Sequence, residues 1–166
     1  MKIYIKYLFI ILVFSVSGCG IYSFSGINIG TAKTISFSYF DNNAPIVYAD
    51  LSQKFYDEMY TRFVNQTPLE YVNNNGDISI EGKIIDYSVK PIDIKAGEVA
   101  ANNRLTVTVK ITYTNFTNPK DNFEKNYSWY ADYSTSSNLS DVQDELTDDI
   151  TQKIVDDIFN STVVNW

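Results

Sequence analysis

Between residues 104 and 116 the chain alternates without a break. Leu105, Val107, Val109, Ile111 and Tyr113 take every second place, and Thr106, Thr108, Lys110, Thr112 and Thr114 fill the gaps. A period of two with one greasy and one hydroxyl-rich phase is that of a strand buried on one face and wet on the other. Three further strands follow from the same pattern. Ile35, Phe37 and Tyr39 share a phase over 34–39. Residues 77–89 carry Ile78, Ile80 and Ile84 in one phase and Ile85, Tyr87 and Val89 in the other, so the slip at Ile84-Ile85 predicts a bulge, with Gly82 at a bend. Phe123, Tyr127, Trp129, Ala131 and Tyr133 share the phase of a fourth strand, which the turn Asn118-Pro119-Lys120-Asp121 joins to the third as a hairpin. Leu69 to Val72 reads as a short extended segment, and Asn73-Asn74-Asn75-Gly76 as a turn whose residues accept positive φ.

Two segments follow a helical period instead. Leu51, Phe55, Met59 and Phe63 recur every four residues, behind Asp50 as N-cap with Gln53 as capping-box partner, and Thr67-Pro68 ends the run. From about Ser140 to Val163 the stripe is Val142, Leu146, Ile150, Ile154 and Ile158, widened by Val155 and Phe159. Ser140 and Gln143 suit a second capping box, and Asp141, Asp144 and Glu145 suit the positive end of the helix dipole. Asp148, Asp149, Asp156 and Asp157 fall on the opposite side, most simply as a solvated face, otherwise as a cation or partner contact. Both helices have a single apolar stripe, so both must cover a sheet. The expected fold is α+β: a two-layer sandwich, a four-stranded mixed sheet packed by two helices, in the order β-α-β-β-β-α.

Composition then removes most chemistry. The chain has no histidine and one cysteine, so no imidazole base or ligand exists, and no Asp-rich stretch has the spacing of a calcium loop. The expectation is no enzyme, no cofactor and no metal. The formal net charge is −7, which weighs against nucleic acid, since binding it requires neutralising phosphates.

The single cysteine is the most specific feature. Lys2 and Lys6 precede an apolar run from Tyr7 to Val16, and Val16-Ser17-Gly18-Cys19 closes it. A basic start, a short apolar core and small residues at a cut point make a bacterial secretory signal, and about 20 apolar residues would be needed to span a bilayer. With cysteine directly after Ser-Gly, the signal is that of a lipoprotein: Cys19 receives a diacylglyceryl group and an N-acyl chain, and several acyl chains anchor a protein permanently. The chain divides into residues 1–18 as signal peptide, 19–33 as lipidated tether and 34–166 as one α+β domain. Losing Lys2 and Lys6 takes the net charge from −7 to −9. No aspartate follows Cys19 to retain the chain at the inner membrane, so the expected location is the periplasmic face of the outer membrane.

The segments GCGIYSFSG (18–26), NNAP (42–45), NRLTVTV (103–109), NLSDVQDEL (138–146) and VVNW (163–166) resemble the LptE family, in its shorter, divergent branch. Their order and spacing carry the likeness across the whole mature chain. The resemblance implies a sheet with two helices and a lipoprotein subunit of the lipopolysaccharide translocon. Such a subunit plugs the lumen of the LptD-type outer-membrane β-barrel, assists its assembly, binds lipopolysaccharide and helps insert it into the outer leaflet. Lipid A carries phosphates, which call for Lys or Arg. Lys90, Lys95 and Arg104 about the connection between the second and third long strands, with Lys120 and Lys125 at the next hairpin, are the candidate lipopolysaccharide-binding residues, against the alternative of ordinary scattered surface charge. A different class of function stays open: a free-standing periplasmic lipoprotein that binds a small hydrophobic ligand or a secretion complex.

Overall fold

The computed structural model describes residues 29–92 and 102–163. Cys19, Lys95, Trp166 and the signal segment lie outside the described residues. The elements are β1 (Thr34–Phe37), β2 (Asp41–Asn42), α1 (Leu51–Gln66), β3 (Glu70–Tyr71), β4 (Ile78–Ile92), β5 (Asn102–Asn115), β6 (Phe123–Ser134) and α2 (Leu139–Val163).

One sheet runs β3-β1-β4-β5-β6, with β2 also paired to β4. β1 is parallel to both its neighbours, and β4, β5 and β6 form an antiparallel meander. Among the described residues the sheet therefore has six strands where four were expected. The two additions, β2 and β3, are two residues long, too short to print any periodicity. β1 and β2 lie end to end along the same edge of β4, opposite Ile78 to Ile80 and then Lys83 and Ile84.

Between them the chain steps off the sheet, which corrects one expected core residue. The alternation put Tyr39 inside, but the strand stops at Phe37; Tyr39 is 54% exposed and Phe40 is fully buried. The Phe40 ring lies directly on Gly82, where an added Cβ would meet ring carbons at 2.2 to 2.5 Å. Gly82 is thus a seat for an aromatic ring rather than a bend. The slip at Ile84-Ile85 is a register shift between Ile84 and Asp86, and Asn75 takes the left-handed conformation in the Asn-rich turn, with φ 55°.

Both helices pack on one face of the sheet. β5 presents Leu105, Val107, Val109, Ile111 and Tyr113 to them, all buried. Phe40 stacks on Phe55 at 5.2 Å, and Phe63 meets Phe37 at 5.5 Å and Phe159 at 5.1 Å edge-on. Those ring contacts tie β1, α1 and α2 together, and each fully buried large side chain contributes roughly 1.5–3 kcal/mol.

Neither expected capping box forms. Asp50 makes no side-chain cap, and Gln53 turns to Asp57, 2.8 Å away along the helix. α2 begins one residue before Ser140; Asn138 reaches Asp141, and Gln143 donates instead to the Tyr87 hydroxyl at 2.7 Å. A reciprocal clip of another kind closes the sheet: Asp77 accepts from the backbone N–H of Lys33 (2.8 Å) and Thr34 (3.1 Å), while its own N–H donates to the Thr34 hydroxyl. These donors hold the Asp77 carboxyl below its ordinary value.

The aspartates assigned to a solvated face are only partly free. Lys54 pairs with Asp148 and, at 3.6 Å, with Asp144, and Arg62 pairs with Asp156 at 2.8 Å. These bridges join α1 to α2. The Tyr48 hydroxyl also donates to Asp144, which lowers that carboxyl and raises the phenol.

Candidate functional site

Among the described residues no helix lies on the second face of the sheet. Because side chains alternate along a strand, this face collects the polar phase of β4, β5 and β6. Across it run Thr106 and Tyr130, Thr108 and Ser128, and Lys110 and Asn126, each pair in register. The Thr108 and Ser128 hydroxyls are 2.9 Å apart.

At one end of this face Lys90 and Arg104 are register partners across β4 and β5. Arg104 donates two bonds to Asp132, at 2.7 and 2.8 Å, and its guanidinium lies 3.6 Å from the centre of the Tyr130 ring. The hydrogen bonds from Arg104, helped by its charge, keep the Asp132 carboxyl below its usual range. Asp132 occupies this planar fork and fixes it in place, and the exposed ammonium of Lys90 beside it adds a mobile charge.

The other candidates stand elsewhere. Lys125 pairs with Ile111, seven residues along β5 from Arg104 and so roughly 24 Å away at about 3.4 Å per residue. It is on the helix side, its ammonium 4.8 Å from the Tyr127 ring. Lys120 sits farther still, in the short 3₁₀ turn Pro119–Asp121. Lys90 and Arg104 are brought together, then, and Lys120 and Lys125 are not brought to them.

The structure adds two cations that the sequence reading passed over. Lys83 and Lys110 face each other across β4 and β5 on the open face, and Lys110 reaches Glu124 at 2.8 Å. Lys110 stood on the polar phase of the clearest strand, so its side was legible. Lys83 was not, because its partner depends on the register that the bulge at Ile85 sets. Exposed apolar groups also escaped notice: Ile46 and Val47 are 57% and 64% exposed on the loop before α1, and Phe116 is 65% exposed beyond β5. Trp129 and Tyr130, on the outer strand, are 38% and 48% exposed.

This surface offers hydrogen bonds, paired charge and aromatic area. It is equipped for binding over a broad area. Among the described residues no three His, Cys, Asp or Glu side chains gather as a metal site.

Residues 32–162 match the model of the LptE family, described as lipopolysaccharide-assembly. No curated protein matches the chain. Among solved structures, a hypothetical protein from Chlamydia trachomatis is 11% identical with a TM-score of 0.51, over 76% of this chain and 93% of its own. A minor lipoprotein from Acinetobacter baumannii is 14% identical with a TM-score of 0.46, over 80% and 97%. The rare lipoprotein B from Shewanella oneidensis is also 14% identical with a TM-score of 0.46, over 76% and 92%. The first of these shares the fold.

Proposed function

The chain belongs to the LptE family of lipopolysaccharide assembly, and from that premise we propose that it is a non-enzymatic lipoprotein subunit of the lipopolysaccharide translocon. It is anchored by acylated Cys19 to the periplasmic face of the outer membrane. Its domain occupies the lumen of an LptD-type β-barrel and assists passage of lipopolysaccharide into the outer leaflet. The observation that carries this reading is the family match over residues 32–162, which takes in the six described strands, α1 and all but the last residue of α2.

The surface supports it. A large barrel has a polar, wet lumen, and a plug for it needs hydroxyls, amides and tyrosines rather than grease. The open sheet face supplies these. Lys90 and Lys83 are the ammonium groups on that face placed to meet lipid A phosphates; Arg104 and Lys110 stand beside them, already engaged by Asp132 and Glu124. The interior speaks against a pocket for a small hydrophobic ligand. Buried aromatic and branched side chains fill the space between sheet and helices, and the surface clefts are lined by polar and charged groups.

The test is purification of the tagged chain from detergent-solubilised outer membranes. We expect a large β-barrel protein in fixed ratio, and arrest of lipopolysaccharide export when the chain is depleted. A monomer that retains a small lipid through extraction overturns the reading. The anchor has its own test. Cys19→Ala is expected to move the protein into the soluble periplasmic fraction and abolish palmitate labelling; unchanged labelling would refute acylation at Cys19.

A further inference from the structure

Asn75-Gly76 is the only Asn-Gly step in the sequence, and it falls in the turn that leads into β4. Asparagine before glycine is the step most open to deamidation, because glycine has no side chain to hinder its nitrogen. The Gly76 nitrogen gives up its proton and attacks the side-chain carbonyl carbon of Asn75, Cγ. The Cγ–Nδ2 bond breaks, ammonia leaves, and a cyclic imide remains. Water then opens the imide at either carbonyl. One opening gives aspartate. The other gives isoaspartate, whose main chain runs through the side-chain carbon and is longer by one methylene.

The folded turn opposes the first step. Asn75 is exposed, so water and base reach its amide, but Gly76 is buried. The Gly76 N–H donates to the Ser36 hydroxyl at 3.3 Å. That hydroxyl, on a side chain 5% exposed, in turn donates to the Ile78 carbonyl at 3.5 Å. A Cβ built on Gly76 would stand 2.7 Å from the Ser36 nitrogen and 2.8 Å from the Ile78 oxygen. The glycine is thus wedged between the backbones of β1 and β4. Closing the imide swings the 75–76 peptide toward Asn75 Cγ, and a residue so wedged has no room to swing. Asn75 is meanwhile held at φ 55°, a conformation that asparagine accepts and most residues do not.

We propose that Asn75 is a deamidation site that the fold keeps closed, with the Ser36 hydroxyl as its latch, and that reacts only in unfolded chains. The two products have different fates. Aspartate also accepts a left-handed backbone, so that product refolds. Isoaspartate lengthens the main chain just before Asp77, whose carboxylate and N–H hold Lys33 and Thr34. The clip that seats β1 on β4 then falls out of register, and the chain stays open. The turn therefore marks copies that linger unfolded. Nothing in this depends on the plug reading.

The experiment uses the full chain in detergent, kept in mildly alkaline buffer either folded or in urea. Trypsin releases residues 63–83 as one peptide, since Arg62 and Lys83 bound it, and fragmentation in the mass spectrometer locates each amide lost. Asn73 and Asn74, each followed by asparagine, are controls within the same peptide. We expect Asn75 to convert first in urea, and at least roughly tenfold more slowly in the folded chain, where conversion must wait for local opening. Ser36→Ala, shown by melting to be folded, should convert roughly fivefold faster than folded wild type, the effect of one hydrogen bond. On dilution from urea the isoaspartate fraction should stay unfolded while the aspartate fraction and Asn75→Asp refold. Equal rates in folded and unfolded wild type overturn the inference, as does conversion of Asn73 or Asn74 ahead of Asn75 in urea. This comparison needs no variant, so it decides the matter even where Ser36→Ala does not fold. A folded Ser36→Ala that converts at the wild-type rate refutes the latch, and refolding of the isoaspartate chain refutes the fate assigned to it.

Discussion

Gly82→Leu abolishes folding of the domain at ambient temperature. The position is buried in the longest pairing of the sheet, and the ring of Phe40 occupies the volume into which any side chain would grow. Phe40 has no exposed area to retreat into; it is stacked on Phe55 and walled by the core. A side chain at 82 therefore evicts it, and removing a buried Phe from its site costs about 3–5 kcal/mol. Overpacking strain of roughly 1–3 kcal/mol comes on top, against a total stability of about 5–15 kcal/mol for a domain of this kind. Urea unfolding followed by far-ultraviolet circular dichroism reads the result. Pairing Gly82→Ala with Phe40→Leu should restore part of what Gly82→Ala loses, since the smaller side chain vacates the space. A Gly82→Leu protein with the wild-type midpoint would show that Phe40 is not seated there.

Val107→Asp is expected to have the second large effect. Val107 is wholly buried at the centre of β5, with Tyr87 and Trp129 as its register partners on either side. Neither neighbour carries a positive charge, so the carboxylate is either ionised without a partner or protonated at a cost. Burial of an unpaired charge consumes several kcal/mol in either form, enough to unfold most of the population. Thr106→Asp, one residue away on the open face and beside Arg104, should change stability by less than roughly 1 kcal/mol. Thermal melting of the two variants side by side checks the alternation directly. Equal melting temperatures would mean that β5 does not separate a dry face from a wet one.

The elements most legible in the sequence are those whose side-chain period is long enough to repeat. β5 alternates over ten positions, and the α1 stripe of Leu51, Phe55, Met59 and Phe63 is fully buried. β2 left no trace because two residues cannot display a period, and β3 showed only as the short extended segment Leu69 to Val72, with nothing in it to mark a strand of the sheet. Tyr39 and Phe40 exchanged roles because leaving the strand at Phe37 changes the phase, and nothing local marks that departure. The capping boxes failed for a related reason: the side chains that fit the pattern found better partners through tertiary contact, as Gln143 did with the Tyr87 hydroxyl. Binding residues were harder still. Lys90 and Arg104 are 14 residues apart in sequence and meet only through the β4–β5 register, while Lys120 and Lys125, close to each other in sequence, stand at the opposite end. The pairing of Asp148 and Asp156 with α1 depended on where two helices lie, which no single helix period can reveal.

The parallel docking of β1 beside β4 fixes an order of events. Thr34 and Asp77 are joined across 43 residues, whereas β5 and β6 meet across a short turn. Local hairpins close quickly, and contacts across long loops must wait for the entropy of closure to be met. β1 is the first of the described strands to be synthesised, and until β4 exists Ile35 and Phe37 have only α1 and the two-residue β3 to pack against. A growing chain that stops short of β4 therefore has at most the two-residue pairing of β1 with β3, and the body of the sheet waits for β4 to β6.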